Sequence, residues 1–323
     1  MVIPKKQHVI PELHLKHFAD ANGRVCTYDA VKGKSWFAAV GETGVEGHFY
    51  SGELDDGTED TRIETHLAEI ESKAAPIYDG LLRGDIPDQS QGRMDFAHFL
   101  GLMFSRTRVM RRMAAETRGR TLQGRMFAAA QNPEAFDAAV QGYEEEIGRK
   151  LSPEERGSAR QAMIDPSGYE FEIPKFETFQ ALGVADELAK LFFGMQWYLF
   201  DAGEGFYITS DNPVCRRVHR SSVHPVYGDN GFLNRTAEVR FPLSPTLLLF
   251  LSWNSHALRR ATLPAQRVRE ANEVRAAQSD QYLYAHVQSP DVEQLAARFR
   301  DSRPMMTTEG FGPEKYGPIK LGK

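Results

Sequence analysis

The sequence predicts an α+β fold in which a helical middle packs against an N-terminal hairpin and C-terminal antiparallel or mixed strands. Three observations carry that prediction. Apolar residues recur at helical spacing through the middle of the chain, short runs of β-branched and aromatic residues flank it, and strands and helices never alternate strictly. The last point sets aside a doubly wound sheet.

Taken in order, residues 25–28 and 35–40, separated by Gly33 and polar residues, form an N-terminal hairpin. Residues 41–60 hold five glycines and seven acids among few apolar residues, and read as a loop crossing the site. Ile63, Leu67, Ile70, Ala74, Ile77 and Leu81 then mark one buried helix face. Thr61 and Glu64 fit a capping box at its start. A second helix over 93–115 places Phe99, Met103, Arg106, Met110 and Met113 on a single stripe, so an arginine lies among apolar residues. Two polar helices follow, 133–149 and 152–163, each with an early proline and the second capped by Ser152. A central helix begins at 176 or 186 and runs to 200, with Leu188, Leu191, Phe192, Met195 and Leu199 inward; Trp197 and Tyr198 are core aromatics. Strands are expected at 205–209, 238–242, 247–253 and 281–286, with a helix over 264–279. The organisation is one domain, 1–301, followed by a Pro/Gly-rich arm, 302–323, either docked on the surface or disordered.

A chain of 323 residues, 41% hydrophobic and 26% charged, is a globular composition that buries a sizeable core. With only two cysteines, Cys26 and Cys215, a disulfide framework is excluded and both read as free thiols in a reducing compartment. No stretch approaches the ~18 apolar residues of a membrane helix, and the opening six residues lack the apolar run of a signal peptide. A cytoplasmic location without a membrane partner follows as the expectation.

The net charge of −5 hides an uneven distribution. Residues 42–71 carry ten carboxylates against Arg62, whereas residues 106–125 carry seven arginines against Glu116. Either the two segments are complementary parts of one fold, or Arg108, Arg111, Arg112, Arg118 and Arg120 form a positive surface for a polyanion or nucleic acid.

The chemistry-bearing residues each have two readings. His8 is a general base with a near-neutral pKa, or a buried imidazole fixing the entry segment. His14 and His17 would join it as metal ligands only without the usual helix signature or cysteine pair, so no metal is assigned and the cofactor is unknown. Glu71 borders the packed face of its helix and is the natural partner for Arg106, which otherwise snorkels to water. Asp211 and Asn212 precede Pro213 at a strand end, as an Asx turn or as a carboxylate and amide projected into a cleft. Ser210 lacks the frame of a nucleophile elbow. Phe241 to Pro245 read as a strand end and tight turn; Asn272 is a surface amide or orients the Asp211 loop.

Taken together, Gln7-His8-Val9-Ile10-Pro11, Leu15, Phe18, Ile63-Glu64, Glu71, Arg106-Thr107-Arg108, the run from Phe206 through Ser210-Asp211-Asn212-Pro213, Phe241 to Pro245 and Asn272 resemble the bacterial domain of unknown function 4238. The resemblance covers roughly residues 7–285, and its strength lies in the order of short motifs. Val9-Ile10 stands where an aromatic-Val pair is common, a change of packing rather than chemistry. The resemblance implies membership of that fold and a site among these motifs.

Two functions fit. One is a hydrolase acting on a phosphate-containing or nucleic-acid substrate, with His8, Asp211 and Glu71 catalytic and Arg106, Asn212 and Asn272 holding the substrate. The other is a non-enzymatic binding or regulatory module, in conflict between bacteria and phage or mobile elements, whose polar residues are structural pins. Either way, His8 and Asp211 are expected to share one hydrogen-bond network.

Overall fold

The computed structural model describes residues 6–47, 62–173, 180–223, 231–302 and 317–321. In chain order its elements begin with β1 (Lys6–His8), α1 (Glu12–Leu15), β2 (Arg24–Asp29), β3 (Lys34–Ala39), β4 (Val45–Gly47), α2 (Arg62–Arg83) and α3 (Gln91–Ser105). They continue with α4 (Arg108–Gln131), α5 (Pro133–Ile147), α6 (Pro153–Ile164), β5 (Phe171–Ile173), α7 (Gln180–Gly194), β6 (Gln196–Asp201), β7 (Thr209–Ser210) and β8 (Cys215–Arg217). The remainder are β9 (Glu238–Ser244), β10 (Leu247–Ser252), β11 (Arg260–Thr262), α8 (Ala265–Gln278), β12 (Tyr282–Ala285), α9 (Pro290–Arg298) and β13 (Ile319–Leu321). The chain is α+β and falls into two compact units, residues 1–110 with 181–304 and residues 111–180 with 305–323.

In the first unit the predicted hairpin forms, with β2 antiparallel to β3 from Arg24 opposite Ala39 to Asp29 opposite Lys34. Its turn is closed chemically: the Asp29 carboxylate accepts the Val31 and Lys32 amides at 3.0 and 2.9 Å, and Gly33 takes φ +62°. The hairpin then joins C-terminal strands in a four-stranded sheet of order β3-β2-β12-β7. A five-stranded sheet of order β11-β6-β10-β9-β8 is antiparallel except at the parallel β11–β6 pair. A short antiparallel ladder, β1 with β4, ties residues 6–8 to residues 45–47.

Three predicted elements differ from those observed. The single helix over 93–115 is two, α3 and α4, separated by Arg106 and Thr107. Thr107 breaks it, because its hydroxyl donates to the Phe104 carbonyl at 3.1 Å and accepts the Met110 amide at 3.3 Å, capping the new helix. The central helix stops at Gly194 rather than 200, and the aromatic run from Gln196 forms β6 between β10 and β11. The strand expected at 205–209 is reduced to β7 because Asn272 of α8, rather than a neighbouring strand, bonds Phe206 and Ile208. Helices α1 and α9 and strands β1, β4, β5, β6, β11 and β13 lie outside the predicted elements. The Thr61 cap and residues 48–60 of the acidic loop lie outside the described residues.

The core of this unit is aromatic. Tyr78 of α2, Phe96 and Phe99 of α3 and Phe241 of β9 are all fully buried, with ring centroids 5.5 to 6.4 Å apart in largely edge-to-face geometry. Gly101 lets α3 approach α7, since a Cβ there would stand 2.4 Å from the Ala185 carbonyl oxygen. Through this apolar region runs one polar chain. Tyr78 Oη donates to the Leu243 carbonyl at 2.8 Å, so His14 Nδ1, at 2.9 Å, must donate to Tyr78. His14 Nε2 is then an acceptor, taking the Thr209 hydroxyl proton at 2.8 Å. Burial holds the His14 pKa well below its ordinary value, which keeps the ring neutral as that chain requires.

The second unit contains most of α4, with α5, α6, β5 and β13. Its caps follow the sequence: Asn132 accepts the Glu134 and Ala135 amides before α5, and Ser152 and Glu155 make a full capping box for α6. Residues 319–321 of the predicted arm pair in parallel with β5.

Replacing His14 with Phe keeps the ring and removes both hydrogen bonds, leaving the Thr209 hydroxyl buried and unsatisfied. The expected cost is about 2 kcal/mol in urea denaturation. A loss below about 0.5 kcal/mol would show that the chain contributes no stability.

Candidate functional site

Asp211 follows β7 and is 5% exposed. Its Oδ1 accepts the Asp280 amide at 2.9 Å, and its Oδ2 accepts the Gln281 and Tyr282 amides at 2.7 and 2.9 Å. It therefore fixes the chain between the end of α8 and the start of β12. Burial pushes its carboxyl up to about 6, against the opposing pull of the three amides. Asn212 donates through Nδ2 to the Gln278 carbonyl at 2.8 Å, and the Ser210 hydroxyl closes the turn onto the Asn212 backbone.

Helix α8 supplies the rest of this framework from one face. Asn272 accepts the Ile208 amide and donates to the Phe206 carbonyl, at 3.1 and 2.8 Å. Arg275, one turn on and 2% exposed, donates to the carbonyls of Asn212, Pro213 and Arg240. Gln278 accepts the Arg216 amide and donates to its carbonyl. A spacing of three residues puts all three side chains along the same strip of backbone. Asn272 is thus a buried pin rather than a surface amide.

A second cluster forms around Arg106, which is 2% exposed and caps the C-terminus of α3. It donates to Glu71 Oε1 at 2.7 Å and to the His8 carbonyl. The predicted Glu71–Arg106 pair is present, although Arg106 reaches it from a helix end rather than mid-stripe. The His8 ring stands apart from this pair's hydrogen bonds, with Nε2 3.4 Å from Glu12 Oε1. Burial lowers its pKa, opposed by Glu12. The hydrogen bonds described for His8 and Asp211 have no member in common, so the expected shared network does not form among them. His14 spends both ring nitrogens inside the core. His17 stacks on Tyr78 at 4.7 Å, and burial lowers its pKa to about 4.

Asp211 also lines a cavity of about 130 Å³. Val9 and Ile10 of the entry segment, Thr27 of β2, Trp36 of β3, Arg108 at the start of α4, and Tyr282 and Tyr284 of β12 share its wall, with Glu42 and Thr43 from the turn before β4. Arg108 donates through Nε to Glu46 at 2.6 Å and lies 5.7 Å from the centre of the Tyr282 ring. Thr27, 4% exposed, has a buried hydroxyl with no hydrogen-bond partner.

The family described as Protein of unknown function (DUF4238) matches residues 6–289. The chain belongs to the DUF4238 family. That span contains both clusters and the cavity. No curated protein and no solved structure matches this DUF4238 chain.

The five arginines expected to form a positive surface differ in exposure. Arg111 is buried, and Arg108 is half-buried in its pair with Glu46; Arg118 is exposed, with Arg112 and Arg120 between these extremes. The pairs Glu46–Arg108 and Glu71–Arg106 join the acidic and the arginine-rich segments inside the fold, as the complementarity reading expects. Among the described residues no helix is long and apolar enough to cross a membrane, and no group of three metal-ligating side chains occurs. Sequence reasoning missed Arg275, Gln278 and the cavity wall. The three-residue spacing of Asn272, Arg275 and Gln278 was the available signal; Thr27, Trp36 and Tyr284 gave none beyond strand alternation.

Arg106→Met should destabilise the fold by about 3 kcal/mol, because Glu71 and a buried carbonyl lose their donor together. A chemical-denaturation difference under about 1 kcal/mol would contradict the pairing as a stabilising contact. The Asp211 carboxyl carbon should titrate with a midpoint near pH 6 in NMR. Since that value lies above the unfolded one, Asp211's contribution to stability is complete below about pH 4. It is lost as pH rises through about 6. A midpoint below 4 would reverse the sign.

Proposed function

We propose that this DUF4238 protein is a binding module whose ligand site is the cavity beside Arg108 and Asp211. The observation that carries the reading is the use made of the polar residues. Asp211, Asn212 and Asn272 each spend side-chain bonds on backbone groups, and Arg106 is taken by Glu71 and the His8 carbonyl. Among the described residues, the wall keeps polar capacity that no protein group uses, in the Thr27 hydroxyl and the terminal nitrogens of Arg108. Concave sites with a few convergent polar groups and a perturbed carboxyl are where ligands bind.

A hydrolase reading has one observation in its favour, the carboxyl of Asp211 raised to about 6 in a cavity wall, the range of a general base. A phosphate-containing or nucleic-acid substrate receives less support, because the buried and paired Arg106 is not placed to meet an anion.

Fragment screening by NMR should find small molecules that shift the Trp36 indole resonance, and Arg108→Gln should abolish those shifts. A library that leaves Trp36 unmoved would defeat the binding reading. Asp211→Asn separates the two functions: a structural pin predicts a loss of about 1 to 3 kcal/mol in stability, whereas a catalytic base predicts a preserved melting temperature and lost turnover.

A further inference from the structure

We propose that the cavity accepts a small zwitterion, an α-amino acid or a molecule with the same paired carboxylate and ammonium. This rests on the binding-module reading and names its ligand class. Groups of both signs border one small space, with Arg108, Asp211 and Glu42 all in its wall.

Arg108 is a receptor with one edge spent. Its Nε donates to Glu46, and among the described residues its terminal nitrogens have no hydrogen-bond partner. A guanidinium fixed by its inner edge presents an oriented, planar donor pair, the geometry that suits a carboxylate. Asp211 has complementary spare capacity. A carboxylate offers about four acceptor positions; the three backbone amides take one at Oδ1 and two at Oδ2, so one direction at Oδ1 remains. An ammonium group, with donors and no acceptor, matches it.

Charge balance excludes the simpler ligands. Arg108 and Glu46 cancel as a pair, leaving Asp211 and Glu42 as the net charge of the wall. A lone anion entering to meet Arg108 would face both carboxylates. A lone cation would satisfy the carboxylates but leave the Arg108 terminal nitrogens unmet. A molecule carrying both charges pairs with both kinds of group.

Thr27 adds a second observation. The residue belongs to the cavity wall, and its hydroxyl is sealed from solvent and unpartnered. A buried hydroxyl without a bond is costly, a cost that a ligand acceptor reaching the Thr27 side chain would remove. Size narrows the class further. A cavity of about 130 Å³ is well below the roughly 300–1,000 Å³ of sites for drug-sized molecules, which suits a short ligand. Trp36, 43% exposed and edge-to-face with Tyr282 at 6.5 Å, offers an apolar rim for a short side chain.

The test is calorimetric titration of the full chain with L-alanine, acetate, methylammonium and inorganic phosphate, read in parallel on the Trp36 indole resonance. L-Alanine should bind saturably and shift Trp36, with acetate and methylammonium each at least tenfold weaker. Arg108→Gln should weaken alanine at least tenfold, and Arg108→Lys, which keeps the charge for Glu46, should weaken it less. Thr27→Val should weaken it without loss of the folded NMR spectrum, a control if the arginine variants unfold. Acetate, methylammonium or phosphate binding as tightly as alanine would overturn the zwitterion and keep the cavity as a binding site. Silence from all four, while another fragment still shifts Trp36, would have the same outcome; silence from every fragment would overturn both readings.

Discussion

The backbone of residues 206–216 must be satisfied inside the core with only fragments of sheet ladder, and the rest of the first unit is arranged around that demand. Thr209 and Ser210 pair with β12, and Cys215 and Arg216 with β9. Every other buried amide and carbonyl needs a partner, because leaving one unmade costs as much as a good contact contributes. Helix α8 answers with Asn272, Arg275 and Gln278, whose side chains supply donors and acceptors where a neighbouring strand is missing. Asp211 returns the favour by accepting the amides that lead from α8 into β12. Helix and segment therefore fix one another.

That reciprocity explains why Ser210-Asp211-Asn212-Pro213 looks catalytic in sequence and behaves as a fastening in the fold. A carboxylate, an amide and a hydroxyl close together are what a hydrolase needs, but they are also what an irregular buried backbone needs. The number of hydrogen bonds already accepted supports the second. Asp211 accepts three, and Asn272 makes two. What the fastening leaves over is a carboxylate held by three amides in the wall of a cavity, which supports the proposed recognition.

Regular elements were legible where one physical signal dominated. The β2–β3 hairpin, the face of α2 and the Ser152 cap follow directly from alternation, three-four spacing and capping chemistry. Failures cluster where a side chain competes with the backbone pattern. Thr107 captures backbone groups and splits a helix whose apolar stripe runs on without interruption. Gly194 ends α7 while Leu and Phe residues continue at intervals that a helix and a doubly covered strand share. Of the site, the Glu71–Arg106 pair was readable because an arginine on an apolar stripe demands a carboxylate. The cavity was not, since its wall is assembled from seven separated stretches of chain, and no local pattern records which strand faces will meet.

The uneven charge of the sequence follows from the same accounting. A buried guanidinium is tolerated only when its donors are met, so Arg106 and Arg108, which flank the break between α3 and α4, each require a carboxylate brought from elsewhere. Glu71 comes from α2 and Glu46 from β4, both in the acid-rich stretch. The two pairs are not equivalent. Arg106 also donates to the His8 carbonyl and becomes part of the core, whereas Arg108 has no such second partner among the described residues and borders the cavity. Two arginines one residue apart on either side of Thr107 thus take opposite parts, one holding the entry segment in place and the other facing the cavity that this segment helps to enclose.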